Sequence, residues 1–207
     1  MGFTRNISRD RGVLGSILQR LGLPLSLASP LIAHAEAVAQ SSERLGLVSP
    51  GDRASIVSRH TADSLLFAVA RPPKPAERWV DVGSGAGFPG LVLACCFPAT
   101  RFALVEPNTR KAGFLEVQAN SLGLDNTVIL ARRLEEVEGS FDVAVARALS
   151  APSSTLLSLQ SLVKPGGDLV VAAGPGEEHP PGVRRVQLEG IGDVDSPGVL
   201  FMMSPGA

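Results

Sequence analysis

Between Trp79 and Ala173, short apolar runs alternate with amphipathic segments, and no other feature narrows the fold so far. Trp79–Val82, Phe102–Val105, Val128–Leu130, Val143–Ala146 and Leu169–Ala173 read as strands. Phe88–Cys96, Thr109–Leu122 and Ser153–Val163 read as the helices between them. Strand, helix, strand at this cadence implies a doubly wound parallel α/β sheet. Strands of such a sheet are covered on both faces, which explains runs that are continuously apolar rather than alternating.

The chain on either side is different. Residues 1–70 carry helical patterning. Val13, Leu14, Ile17, Leu18 and Leu21 recur at helical spacing up to Gly22 and Pro24. A second helix is expected from Pro30 to about Ser42, with Leu31, Ala35, Val38 and Ala39 on one side, and a third from about Asp52 to Ala70. Arg71-Pro-Pro-Lys-Pro75 is a linker, because paired prolines cannot continue a helix. The chain therefore divides into an N-terminal helical extension, 1–75, and an α/β core, 76–207. Near the end, Gly174-Pro-Gly-Glu-Glu-His-Pro-Pro-Gly182 has too many prolines and glycines for a helix. Val183–Leu188 and Val199–Met203 read as a hairpin-like pair finishing the sheet.

Composition excludes several classes. The 207 residues suffice for one well-packed domain with a small extension. The two cysteines, Cys95 and Cys96, are adjacent, and neighbours rarely pair. Two thiols without a framework fit a reducing compartment, where they act as small apolar residues. No apolar stretch reaches 18 residues and no secretory pattern is visible, so a cytoplasmic protein with no membrane contact is expected. Net charge is −1, yet residues 1–78 hold 10 Lys/Arg against 6 Asp/Glu and residues 79–207 hold 9 against 14. A mildly basic front beside an acidic body is compatible with an RNA gripped from one side. With eight Phe, one Trp and no Tyr, stacking on aromatic rings is not its main means of binding.

The chemistry concentrates in Asp81-Val-Gly-Ser-Gly-Ala-Gly-Phe-Pro-Gly90, which follows an apolar strand and opens a helix. Glycines there permit positive φ and let a ligand approach the backbone. Glu106 ends the next strand, 19 residues after Gly87, where a carboxylate can accept hydrogen bonds from ribose hydroxyls. Two cofactor classes compete. Gly85-Ala-Gly87-Phe-Pro-Gly90 matches the dinucleotide pattern G-x-G-x-x-G. Three features favour S-adenosylmethionine instead. Asp81 can meet a cationic aminoacyl end, Pro89 removes an N–H that a pyrophosphate would need, and Lys164-Pro-Gly-Gly167 leads into the fifth strand with a turn frequent among methyltransferases. No metal-ligand cluster is visible.

These residues also carry a family resemblance. Arg59-His-Thr-Ala-Asp-Ser64, the loop 81–90, Leu104-Val-Glu-Pro-Asn-Thr-Arg-Lys-Ala-Gly-Phe-Leu115, Arg133-Leu-Glu135 and Ala146-Arg-Ala148 together resemble the small-subunit ribosomal RNA guanine methyltransferase family, also called glucose-inhibited division protein B. The resemblance covers roughly residues 53–174. It implies a Rossmann-like class I methyltransferase sheet that uses S-adenosylmethionine to form 7-methylguanosine in 16S ribosomal RNA, acting as a monomer on the small subunit. It implies that Gly83 and Phe88 contact the cofactor, that Asp81, Gly85 and Gly87 shape the loop, and that Glu106 holds the ribose. Leu134 and Glu135 would border the adenine. Arg147 would face both cofactor and substrate as a positioning group, with His60 as a second catalytic candidate and Asp63 beside it in a helical lid. Plainer roles stay open. Glu135 can be a helix-start charge, Arg147 a structural ion-pair partner, and His60 a packing residue with Asp63 one turn away. Arg110 and Lys111 read as solvated charges.

The chain departs from the family where substrate rather than cofactor would be held. Ser41-Ser-Glu43 and Gly46-Leu-Val48 stand where the family carries Trp-Asn-Lys and Asn-Leu-Thr. Ala173-Gly174 stands where it carries Lys-Gly. Loss of that lysine weakens contact with phosphate or base. The departures leave room for a divergent methyltransferase of the same fold acting on another RNA, a protein or a small molecule, or for a non-catalytic ribosome-assembly module.

Overall fold

The computed structural model describes residues 7–147, 151–174, 176–188 and 198–205. Ala148 of the Arg-Ala element and Pro175 of the Pro/Gly segment lie outside them. The extension begins with α1 (Ile7–Arg20) and α2 (Ala28–Leu45). Each ends on a left-handed glycine, Gly22 at φ 67° and Gly46 at φ 59°. The Gly46 N–H returns to the Ser42 carbonyl and closes the last turn of α2.

The single helix expected over Asp52–Ala70 is instead three pieces. A 3₁₀ turn covers Pro50–Ser55, a wide π turn Ile56–Thr61, and α3 runs from Ala62 to Ala70. Pro50 starts the 3₁₀ turn and the Ser49 hydroxyl caps it by accepting the Asp52 N–H. Ser55 then leaves helical geometry at φ −124°, ψ 23°. The π turn carries Arg59 and His60, and such turns recur at functional sites.

The core follows the expected alternation: β1 (Arg78–Val82), α4 (Gly90–Cys96), β2 (Arg101–Val105), α5 (Thr109–Ser121), β3 (Thr127–Leu130), β4 (Phe141–Ala146), α6 (Pro152–Leu159), β5 (Val163–Ala173), β6 (Arg184–Leu188) and β7 (Gly198–Met203). The sheet order is β3-β2-β1-β4-β5-β7-β6. β1 to β5 are parallel, and β7 is antiparallel to both β5 and β6. The last two strands therefore do pair, but β7 inserts between β5 and β6. β5 begins earlier than its apolar run suggests, because Val163 already pairs with Phe141 of β4, and Lys164-Pro-Gly-Gly167 is skipped before pairing resumes at Asp168.

One sheet face packs against α3, α4 and α5, with Trp79, Phe102, Leu104 and Leu115 buried between them. Trp79 and Phe102 meet at 5.8 Å between ring centroids. Outside that layer, Leu14, Ile17, Leu31 and Val38 of α1 and α2 share a second core with Phe88, Val92 and Phe114. The opposite face carries α6 through Leu156 and Leu159. Between β3 and β4 a 3₁₀ turn, Leu134–Glu136, stands where a helix could lie, and Val128 stays half exposed. Burial raises both thiols, Cys95 to about 11 and Cys96 further, so both are inert at neutral pH. The sheet order reverses on either side of β1 and β4, and a ligand crevice forms at the carboxyl ends of the strands at such a point.

Candidate functional site

The glycine loop leaves β1 at that reversal. Gly83 and Ser84 both donate backbone N–H groups to the Val105 carbonyl at the end of β2, at 2.9 and 3.1 Å. Gly83, Gly85 and Gly87 all have positive φ, at 74°, 55° and 92°. A Cβ on Gly85 would meet only the Gly83 carbonyl at 3.7 Å, so the space above the loop is open. Gly90 serves another purpose. A Cβ there would lie 2.6 Å from an Asp81 carboxylate oxygen, and its absence lets Asp81 accept the Gly90 N–H at 2.9 Å.

Asp81 is fully buried beneath the loop. Its Oδ2 takes the Gly90 N–H, while Oδ1 has no protein partner. Burial raises its pKa to about 6, opposed by the Gly90 hydrogen bond and by the charge of Arg147. Glu106 is nearly buried at the end of β2. Its Oε2 accepts the Gly85 N–H and its Oε1 the Asn108 N–H, each at 2.9 Å. A carboxylate oxygen can accept two hydrogen bonds, so each keeps one acceptor site for a diol. An open glycine cradle, an unpartnered buried carboxylate oxygen and a half-satisfied carboxylate together fit a ligand with a ribose and a cationic amino acid end.

Phe88 gathers a second set of residues. His60 stacks on its ring at 5.5 Å and 19°, and His34 meets it edge-on at 5.4 Å. The Arg147 guanidinium lies 5.4 Å from the same ring centroid. Arg147, just after β4, also lies 2.7 Å from His60 Nδ1. A guanidinium cannot accept, so Nδ1 is the acceptor and Nε2 carries the ring proton. Nε2 faces Asp52 Oδ2 at 3.8 Å. Asp52 is held in turn by the Ser49 hydroxyl at 2.7 Å and by Arg59 at 2.5 Å. Burial lowers His60 to about 4, reinforced by Arg147, so the imidazole is neutral at pH 7. His60 thus holds the guanidinium beside Phe88 through Nδ1, while its buried Nε2 has no hydrogen-bond partner and lies near the Asp52 carboxylate.

Asp63 lies 3.9 Å from Arg147 on the other side, and burial raises its pKa to about 6 against the opposing charges of Arg147 and Arg59. The folded chain thus binds a proton that an unfolded one releases near 3.8. The stability so gained is complete below pH 3.8 and is lost as pH rises through 6. Asp63→Asn should flatten stability between pH 4 and 7 by about 1–2 kcal/mol, after allowance for its one-third exposure. Urea denaturation of both proteins across that range checks this, and an unchanged slope would remove Asp63 from the network.

The sequence-read residues do not all converge. Asp81, Gly83, Gly85, Gly87, Phe88 and Glu106 meet at the loop, and Arg147 and His60 meet over Phe88. Leu134 is half-buried and packs toward the core of the opposite face, while Glu135 is exposed on the 3₁₀ turn beyond β3. Two groups escaped the sequence reading. His34 is buried on α2, its Nδ1 3.2 Å from Gln118 Oε1, and burial lowers its pKa. Its position among Leu31, Ala35 and Val38 on the buried side was the available signal. Asp52 gave no such signal, because only the 3₁₀ turn brings it to His60. Among the described residues, no group of His, Cys, Asp or Glu could hold a metal ion, and no helix is long and apolar enough to cross a membrane.

Solved structures with this fold include an S-adenosylmethionine-dependent methyltransferase from Aquifex aeolicus, with a TM-score of 0.55 and 20% identity over 78% of this chain and 97% of that one. An MtNAS variant in complex with S-adenosylmethionine gives a TM-score of 0.57 and 19% identity over 87% of this chain and 74% of that one. Strand order, glycine loop and the acidic end of β2 define the class as Rossmann-like S-adenosylmethionine-dependent methyltransferases. Residues 28–180 match the family model described as rRNA small subunit methyltransferase G, GidB, and the chain belongs to that family. Ribosomal RNA small subunit methyltransferase G of Clavibacter sepedonicus is 42% identical over 139 residues, 66% of this chain and 64% of that protein's length. Its counterpart in Chlorobium limicola is 31% identical over 157 residues, 75% of this chain and 71% of that one.

Proposed function

We propose that this chain transfers the methyl group of S-adenosylmethionine to N7 of a guanine in 16S ribosomal RNA, as a cytoplasmic monomer acting on the small subunit. The observation that carries the reading is the junction at Phe88. Neutral His60 and its bound Arg147 both pack on Phe88, which continues the open glycine loop whose Gly85 N–H is held by Glu106. Gly83, Gly85 and Gly87 bring the backbone close to the cofactor, Glu106 accepts from the ribose hydroxyls, and Asp81 supplies negative charge toward the amino acid end. Leu134 and Glu135 border the adenine.

The cofactor supplies an electrophilic methyl on a sulfonium. Guanine N7 carries an in-plane lone pair, so it would take the methyl as the S–CH3 bond broke, with S-adenosylhomocysteine leaving as a neutral thioether, the positive charge passing to the purine and no proton removed. No general base is required, in keeping with a His60 that already uses Nδ1 to accept from Arg147. Catalysis is then mostly alignment and exclusion of water. Arg147 orients the base by donating to O6, the acceptor beside N7.

Mapping 7-methylguanosine in ribosomal RNA from cells with and without this protein tests the reading. One 16S position should lose its methyl group and regain it with the purified chain. An unchanged map would sink the assignment. Ala173 and Ser41 favour one second reading, a divergent enzyme of the same fold acting on another RNA, and the same map would show the displaced site.

A further inference from the structure

Between the C-terminal half of α2 and the first three turns of α5 runs a groove of about 700 Å³. Leu45, Phe114 and Val117 give it apolar lining beside the buried Gln118, and Arg44 and Arg110 line it from the two helices. Among the described residues no carboxylate lines it. Both arginines are exposed, and among the described residues neither has an ion-pair partner. Several other cations of the extension are matched, Arg53 by Glu43, Arg59 by Asp52 and Arg71 by Glu77 and Asp168. Ser41 also lines the groove and keeps this wall small.

The groove opens beside the cofactor end of the sheet. Arg110 lies two residues past Asn108, whose N–H is bound to Glu106. Phe114 packs against His34 at 6.3 Å, and His34 packs on Phe88. The lining is therefore two rings away from the junction where the guanine is placed. Two unpaired guanidinium groups beside an apolar lining complement a ribose-phosphate chain, whose phosphates take planar donors and whose sugars and bases take apolar contact. We infer that Arg44 and Arg110 grip backbone phosphates of the RNA substrate next to the target guanine. This rests on the proposed function, and it replaces the reading of Arg110 as merely solvated.

The test uses Arg44→Glu, Arg110→Glu and the double variant, with Arg20→Glu on α1 as an exposed control outside the groove. Binding to small ribosomal subunits that lack the modification is measured by filter retention, and methyl transfer by steady-state kinetics. Each single variant should weaken binding and raise KM about 10-fold and the double variant about 100-fold, with kcat and S-adenosylhomocysteine affinity unchanged. In Arg44→Gln/Arg110→Gln the slope of log affinity against log salt should fall by about 1.4–1.8, the share of two phosphate contacts. Unchanged binding, an unchanged salt slope, or an equal loss in Arg20→Glu would each overturn the inference. If the wild-type chain transfers no methyl group to the particle, the proposed function falls, while the binding and salt arms still decide the groove.

Discussion

A Gly85→Val variant is expected to lose S-adenosylhomocysteine affinity by at least about 100-fold, roughly 2.7 kcal/mol of binding, while remaining folded. Gly85 has φ 55°, a left-handed conformation that costs a β-branched residue about 1–2 kcal/mol. Spread over a chain of this size, that lowers Tm by only about 2–8 °C. The space around the residue sets the larger effect. An added Cβ would touch nothing closer than the Gly83 carbonyl at 3.7 Å, so the valine methyls would stand in the cradle itself. There they would cover the backbone that a ligand must approach. Glu106 would be affected too, since its Oε2 is aimed by the Gly85 N–H. Isothermal titration beside a thermal melt separates the two effects. Intact affinity in a folded variant would take the loop out of the cofactor site.

Most of the core was legible because each of its elements announces itself locally. Continuous apolar runs forecast the five parallel strands to within a residue or two at most ends, and Gly83 to Gly87 marked the turn after β1. The Lys164–Gly167 turn hid the start of β5, since a Pro-Gly-Gly run contradicts strand propensity and only the Val163–Phe141 pairing ahead of it extends the strand. The extension was less legible. Its helical period runs on through Ile56–Thr61, so a π turn of six residues cannot be told from an α-helix by spacing of apolar residues alone. That turn nevertheless decides which side chains face Phe88. Asp52 and His34 joined the site only through tertiary contacts, at sequence distances of 8 and 84 residues from their partners His60 and Gln118. Side-chain positioning of this sort leaves no periodic trace.

Arg147→Ala should lower kcat by about 10²–10³-fold, because loss of one aligned contact misplaces the base relative to the methyl group. S-adenosylhomocysteine affinity should change by less than about tenfold, since the glycine loop and Glu106 remain. Arg147→Lys should not rescue the rate. An ammonium, a point charge on a flexible stem, does not reproduce a planar guanidinium that packs 5.4 Å from the Phe88 ring centroid while donating to His60 Nδ1 at 2.7 Å. The competing role, a structural ion pair, makes a different forecast. Arg147 lowers the pKa of both Asp63 and Asp81, which burial holds at about 6, and its removal would push both carboxyls higher still. An Arg147→Ala protein would therefore carry neutral carboxyls near pH 6 but pay to ionise them at pH 8, and its loss of stability should grow over that interval. That loss is expected in either role. Only the rate tells them apart: at pH 6, where the variant is best folded, a normal kcat per folded molecule would reduce Arg147 to a structural residue, whereas a rate still about 10²-fold low would place it on the substrate.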